Sequence, residues 1–221
     1  MNPAWLVAAW PAPARVRTCL TTRLGGVSLP PWDSFNLGTH VGDLPAHVAQ
    51  NRSRLVDTLG CRPAWLDQTH STRVVAADPE RVYDADASWT RAPGIACTVM
   101  TADCLPVLFT DRAGTRVAAA HAGWRGLVGG VLENTLAALE SPPQDLLAWL
   151  GPAIGPSAFE VGPEVRAAFV ALHPQTTAAF LPSSRPGHFL ADIFLLARLR
   201  LEAVGLTAIH GGGLCTFSDA D

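Results

Sequence analysis

Two apolar runs, residues 105–110 and 115–120, flank a four-residue connection at 111–114, and this pairing constrains the fold more than any other feature of the chain. Each run has strand length and β-leaning composition. The connection ends in Gly114, a residue suited to positive φ, so the segment reads as an antiparallel hairpin. Elsewhere strands and helices interleave without a strict βαβ rhythm. An antiparallel pair in such a chain argues for a mixed sheet with covering helices, and no Gly-x-Gly-x-x-Gly opens a helix after a strand, which argues against a dinucleotide-binding fold. The expected class is α/β, with residues 1–221 forming one domain.

The flanking pattern completes the outline. Residues 16–22 alternate loosely and read as a strand, followed by a glycine- and proline-marked loop through Leu37. Asp43 is placed to cap a helix that has Pro45 in its first turn, Leu44, Val48, Leu55 and Leu59 on one face, and Gly60 as its stop. Short strands are expected at 64–68, 73–77, 95–100, 146–150 and 207–210. Helices are expected at 126–139, 163–172 and 193–204, the last capped by Asp192 and stopped by Gly205. Residues 83–93 are polar and read as a loop.

Composition narrows the function. The 221 residues are 48% hydrophobic and only 16% charged, with a net charge of -3. That balance gives no electrostatic case for nucleic acid or an anionic membrane as a partner. All 16 basic residues are arginine. A Schiff-base lysine and a phosphate-loop lysine are therefore excluded, and any phosphate must be met by arginine, backbone N–H groups or a metal. The five cysteines are odd in number and follow no disulfide framework. The first ten residues lack the basic start of a signal peptide, and Asp103 interrupts the best membrane-span candidate. A cytoplasmic location, as a monomer or small homo-oligomer, fits these features.

The hairpin carries the chemistry at its ends. Cys104 precedes the first run, His121 follows the second, and His70 sits upstream in a predicted bend. Strand ends are rigid places from which to aim side chains. One thiolate and two imidazoles suit zinc and leave a fourth coordination position for substrate. The spacing matches no standard motif, and His40, His47, His173, His188 and His210 compete for the role. Two His and one Cys also make the trigonal set of a blue-copper site. Such a site needs a weak axial methionine, for which only Met1 and Met100 are available, and a multicopper enzyme needs more histidines in His-x-His pairs. A cysteine hydrolase with Cys104 as nucleophile and His121 as base uses the same residues. A zinc-binding partner module without catalysis is a further alternative.

The segments Thr-Ala-Asp-Cys at 101–104 and His-Ala-Gly-Trp-Arg-Gly at 121–126 belong to a longer pattern. It includes 21–28, 35–38, 40–43, 51–52, 68–70, 151–155 and 215–216. Across nearly its whole length the chain resembles the laccase-domain family, also called multicopper polyphenol oxidase or YfiH-like proteins. The resemblance implies a single α/β/β/α layered domain and zinc held by His70, Cys104 and His121. It also implies purine nucleoside phosphorylase activity, with a purine nucleoside and inorganic phosphate as substrates and adenosine deamination as a side reaction. On that footing Arg23 is the expected phosphate clamp, with backbone N–H groups of Gly25 and Gly26 beside it. Asn36 and His40 are expected sugar or phosphate contacts, and Arg125 a substrate contact or loop brace. Asp103, next to the thiol, is expected to orient a ligand or move a proton. The chain departs from the family in ending at Asp221 without the aromatic, arginine-rich motif that usually follows the Cys-Thr segment.

Overall fold

The hairpin forms and becomes the centre of a six-stranded sheet. The computed structural model describes residues 5–219. The sheet strands are β1 (Val74–Ala76), β2 (Ala87–Thr90), β3 (Leu105–Asp111), β4 (Val117–Ala122), β5 (Leu146–Leu150) and β6 (Ile209–Gly211), in spatial order β6-β5-β3-β4-β2-β1. The four central strands pair antiparallel, whereas β1 on β2 and β6 on β5 are parallel. The helices are α1 (Pro45–Leu59), α2 (Trp124–Gly129), α3 (Val131–Ala138), α4 (Pro163–Leu172) and α5 (Ile193–Ala203).

Period-two alternation sorts the side chains. Leu105, Val107 and Phe109 of β3, Ala118, Ala120 and Ala122 of β4, and Leu146, Ala148 and Leu150 of β5 share one face. There they form the main core with Leu127, Leu132, Phe169, Leu196 and Leu201 of the helices. The small alanines of β4 let α3 settle directly on that strand. The opposite face packs against a parallel ladder of Arg62–Ala64 with Ile95–Cys97. Beyond the ladder, α1 joins a smaller cluster of Trp5, Phe35 and Leu55, with Trp65 packed against it. The result is the expected α/β/β/α layering.

Several elements differ from expectation. Residues 83–93 are not a loop: β2 lies there, next to β4 in the sheet. Its side chains Ser88 and Thr90 are buried despite their polarity, which is what made the segment look solvated. The predicted strand at 16–22 reduces to one antiparallel bridge between Leu6 and Leu20. The helix expected at 126–139 is split at Gly130, whose φ of 105° no L-residue adopts cheaply. Asp43 is not the cap of α1. Leu44 takes that position, while the Asp43 carboxylate accepts from Ser28 Oγ (2.7 Å) and Asn36 Nδ2 (2.9 Å). A three-stranded antiparallel sheet of Glu160–Val161, Phe189–Ala191 and Phe180–Pro182 was unforeseen.

Candidate metal centre

Strand register brings the thiol and one imidazole together. Leu105 pairs with Ala122 and Pro106 with His121, so Cys104 continues the ladder opposite Gly123. Because Leu105 and Ala122 point into the helical core, His121 leaves the sheet on the other face. His70 arrives from the segment before β1. Its Nε2 lies 3.6 Å from Cys104 Sγ, and its ring centroid lies 4.8 Å from that of His121. One donor atom from each of the three residues falls within 4.8 Å of the others. A tetrahedral zinc with bonds of about 2.3 Å to sulfur and 2.0–2.1 Å to nitrogen separates those donors by about 3.5 Å. Thiolate and imidazole donors suit zinc, and the 3.6 Å between Cys104 Sγ and His70 Nε2 matches that separation.

A residue that sequence analysis missed organises this arrangement. Asp86, fully buried just before β2, accepts the His121 ring N–H at Nδ1 (2.7 Å). A carboxylate acceptor fixes the proton on Nδ1 and leaves Nε2 with its lone pair toward the metal position. The same carboxylate accepts from the backbone N–H groups of Thr69 (3.2 Å), His70 (3.0 Å) and Ser71 (2.6 Å), and from Ser71 Oγ (2.7 Å). Those bonds hold His70 in the left-handed region, at φ 60°, which a side-chain-bearing residue seldom adopts. One carboxylate thus sets the tautomer of one histidine and the backbone of the other.

The electrostatics follow from these contacts. Burial works against the Asp86 charge, but hydrogen bonds from His121 and Ser71 outweigh it and hold the carboxyl down at about 2. Burial likewise opposes protonation of His121, and its bonds to Asp86 and Cys104 overcome that, raising the imidazole to about 9 in the metal-free protein. Burial and the neighbouring His121 lower His70. Gly123, also missed, supplies room: a Cβ there would stand 2.5 Å from His70 Cδ2 and 2.9 Å from Cys104 Sγ.

The other predicted site residues divide into two groups. Arg125 is near the centre; it opposes protonation of His70, and its guanidinium lies 4.5 Å from the Trp124 ring centroid. Asp103 adjoins Cys104, but its carboxylate accepts from Thr216 Oγ1 (2.9 Å) and so ties down the 215–216 segment. Arg23 forms an exposed ion pair with Asp33 at 2.9 Å. Asn36 is engaged with the backbone of Gly38 and with Asp43. His40 is exposed on the loop that Asn36 shapes. The axial methionine of a copper site is not in place: Met100 Sδ lies 3.8 Å from Arg52 Nη2, and Met1 falls outside the described residues.

Fold and centre define a layered α/β protein in which two histidines and a cysteine converge from a hairpin and an adjoining loop. The chain belongs to the family described as multi-copper polyphenol oxidoreductase laccase, whose profile matches residues 17–221. A protein of Pseudomonas aeruginosa named purine nucleoside phosphorylase is 66% identical over 98% of this chain and 89% of its own. Another of that name, YfiH of Escherichia coli, is 54% identical over 97% of this chain and 89% of its own. Among solved structures, a Neisseria meningitidis protein superposes with a TM-score of 0.94 at 53% identity, covering 96% of this chain and 88% of that one. YlmD from Geobacillus stearothermophilus superposes with a TM-score of 0.91 at 29% identity, covering 98% and 87%.

Proposed function

We propose that the protein is a zinc-dependent purine nucleoside phosphorylase. It takes adenosine- or inosine-type nucleosides and inorganic phosphate to free base and ribose 1-phosphate. The observation that carries this is the convergence of His70, Cys104 and His121 in a chain 66% identical to a relative bearing that name. In the reaction the glycosidic C–N bond breaks, a phosphate oxygen bonds to the sugar carbon, and the proton of hydrogen phosphate ends on the base. Zinc, held by His70, Cys104 and His121, would supply Lewis acidity to the reaction.

The chain's own groups do the rest. Asp86 keeps the Nδ1 proton on His121 and so presents Nε2 as a ligand. Arg125 is assigned to offset the negative charge that gathers on the leaving base. His40 and Arg125, both exposed, are assigned to substrate contact, and Arg23 and Asn36 chiefly to building the loop that carries His40. Asp103 fixes the 215–216 segment beside the site. Deamination of adenosine is a phosphate-independent side reaction of the same centre. The protein works as a single domain, monomeric or a small homo-oligomer, in a reducing cytoplasm. Five unpaired cysteines support that setting, and among the described residues no helix is long and apolar enough to cross a membrane.

The test is a nucleoside panel with and without phosphate, resolved by chromatography. Ribose 1-phosphate should form only when phosphate is present, and Cys104→Ala should lose zinc and turnover together. Full phosphorylase activity in that variant would sink the proposal. One observation favours a second reading, a cysteine hydrolase: the Cys104 thiol shares a cluster with His121, whose Nδ1 is bonded to the buried Asp86. Rapid alkylation of Cys104 in the zinc-loaded protein, with loss of an amidase activity, would favour it; protection by zinc counts against it.

A further inference from the structure

Arg52 is a cation without a counter-ion at the junction of three segments. It projects from α1, and its guanidinium lies 3.9 Å from the Trp65 ring centroid. Nε donates to the Leu37 carbonyl (2.9 Å), and Nη2 points at Met100 Sδ (3.8 Å). Every one of these partners is neutral, and among the described residues no carboxylate offsets the half-buried charge. Two of the five guanidinium N–H groups are engaged in this way, which leaves three without a protein acceptor. The Trp65 ring and a single carbonyl position the fork while leaving its charge uncompensated, and a planar guanidinium with free donors suits an oxyanion.

Its contacts lead along the chain to the segments that carry two of the trio, His70 and Cys104. Met100 is pinned to Gln68 from both sides: its N–H donates to Oε1 (2.7 Å) and its carbonyl accepts from Nε2 (2.8 Å). Gln68 lies two residues before His70, and Met100 four before Cys104. Leu37 opens the loop that carries His40, whose Cε1 lies 3.6 Å from where a Cβ on Gly38 would stand. Arg23, which the sequence favoured as phosphate clamp, is by contrast engaged by Asp33.

We propose that Arg52 binds the inorganic phosphate of the reaction, with His40 at the rim of the same anion site. This deepens the phosphorylase proposal and rests on it. The test compares zinc-loaded wild type, Arg52→Gln and Arg52→Lys. In Arg52→Gln the KM for phosphate should rise roughly 10- to 100-fold, the size expected for one or two lost charge-assisted hydrogen bonds. Arg52→Lys should fall between, and the nucleoside KM and zinc content should stay near wild type. A lower kcat and melting temperature with unchanged phosphate KM would make Arg52 a brace between Leu37 and Met100 and overturn the inference.

Calorimetric titration of inorganic phosphate into the same holo-proteins separates this inference from the function proposal. Phosphate binding lost in Arg52→Gln supports the site even if no phosphorolysis occurs, and no binding to wild type overturns it. A nucleoside 5′-monophosphate is the second titrant. If Arg52→Gln loses that ligand but keeps free phosphate, the site reads the substrate's own phosphate and the assignment fails.

Discussion

Phe109 and Asn51 are both almost wholly sealed from water, yet they stabilise their surroundings by different means. Phe109 sits mid-strand in β3, and its neighbours in the main core are apolar side chains from the sheet and the helices. Asn51 sits on α1 beneath residues 5–44, which contain no regular helix or strand beyond the Leu6–Leu20 bridge. Its Oδ1 accepts from Val27 N–H (3.0 Å), and its Nδ2 faces Ser28 Oγ, Ser34 O and Asn36 O at 3.0–3.1 Å. The core is held by area removed from water, which is nondirectional. The amino-terminal segment is held by one amide that meets the backbone needs of several loop turns, which is directional and local. The candidate metal centre draws on both means: Cys104 and His121 sit at strand ends of the apolar sheet, and the buried Asp86 carboxylate holds His70 through directional hydrogen bonds.

The first way to break this comparison is to remove both anchors in turn. Phe109→Ala should cost about 3–5 kcal/mol in denaturant unfolding, as a large buried void does. Asn51→Ala should cost less, about 2–3 kcal/mol, by stranding buried polar groups. Hydrogen exchange should rise at residues 26–36 in Asn51→Ala while β3 to β5 stay protected. Equal deprotection of both regions would show that they do not behave separately. Gly123→Ala tests the junction. Its Cβ is forced against His70 and Cys104 without backbone strain, since φ is -61°. Zinc affinity measured against a chromophoric chelator should fall roughly 10- to 100-fold, the scale of changes around metal ligands.

A smaller effect comes from pH. His121 is raised, so its contribution to the metal-free fold is complete below its ordinary value of 6.5 and fades as pH climbs through about 9. Asp86 is depressed, so its contribution is complete above its ordinary value of 3.8 and fades as pH drops through about 2. The melting temperature of the metal-free protein should therefore fall on the alkaline side. Zinc bound through Nε2 of His121 would replace its proton there, so zinc loading should flatten that limb. An identical alkaline slope with and without zinc would remove His121 from the ligand set. The smallest effect is expected of Arg23→Ala. Its ion pair is exposed at both ends, so stability should change by less than about 1 kcal/mol and salt should erase the difference. A large rise in phosphate KM in this variant would bring Arg23 back into the site.

The sequence made the hairpin legible because its two apolar runs and its Gly114 turn act locally, and with the hairpin came Cys104 and His121. The layered architecture and the trio were named with help from the family resemblance. Asp86 was hidden because buried polar side chains on a strand look like a solvated loop; Asp86, Ser88 and Thr90 alternate with Ala87 and Trp89, and that period of two was the available signal. The break at Gly130 was hidden because the apolar helical pattern runs straight across it. Asp43 has the composition of a helix cap, but Ser28 and Asn36, distant in sequence, claim its carboxylate. Such long-range claims on a polar group cannot be read from a local window.

The pairing of Asp86 with both histidines has a consequence for how the molecule matures. Ala87 lies opposite Ala120, so the carboxylate reaches the imidazole only when these two strands meet in their native alignment. A slip by a single residue would send His121 into the greasy side of the sheet and free His70 from its tether. Misaligned chains would be unable to hold the ion, and zinc retention would serve as a count of molecules whose topology is right.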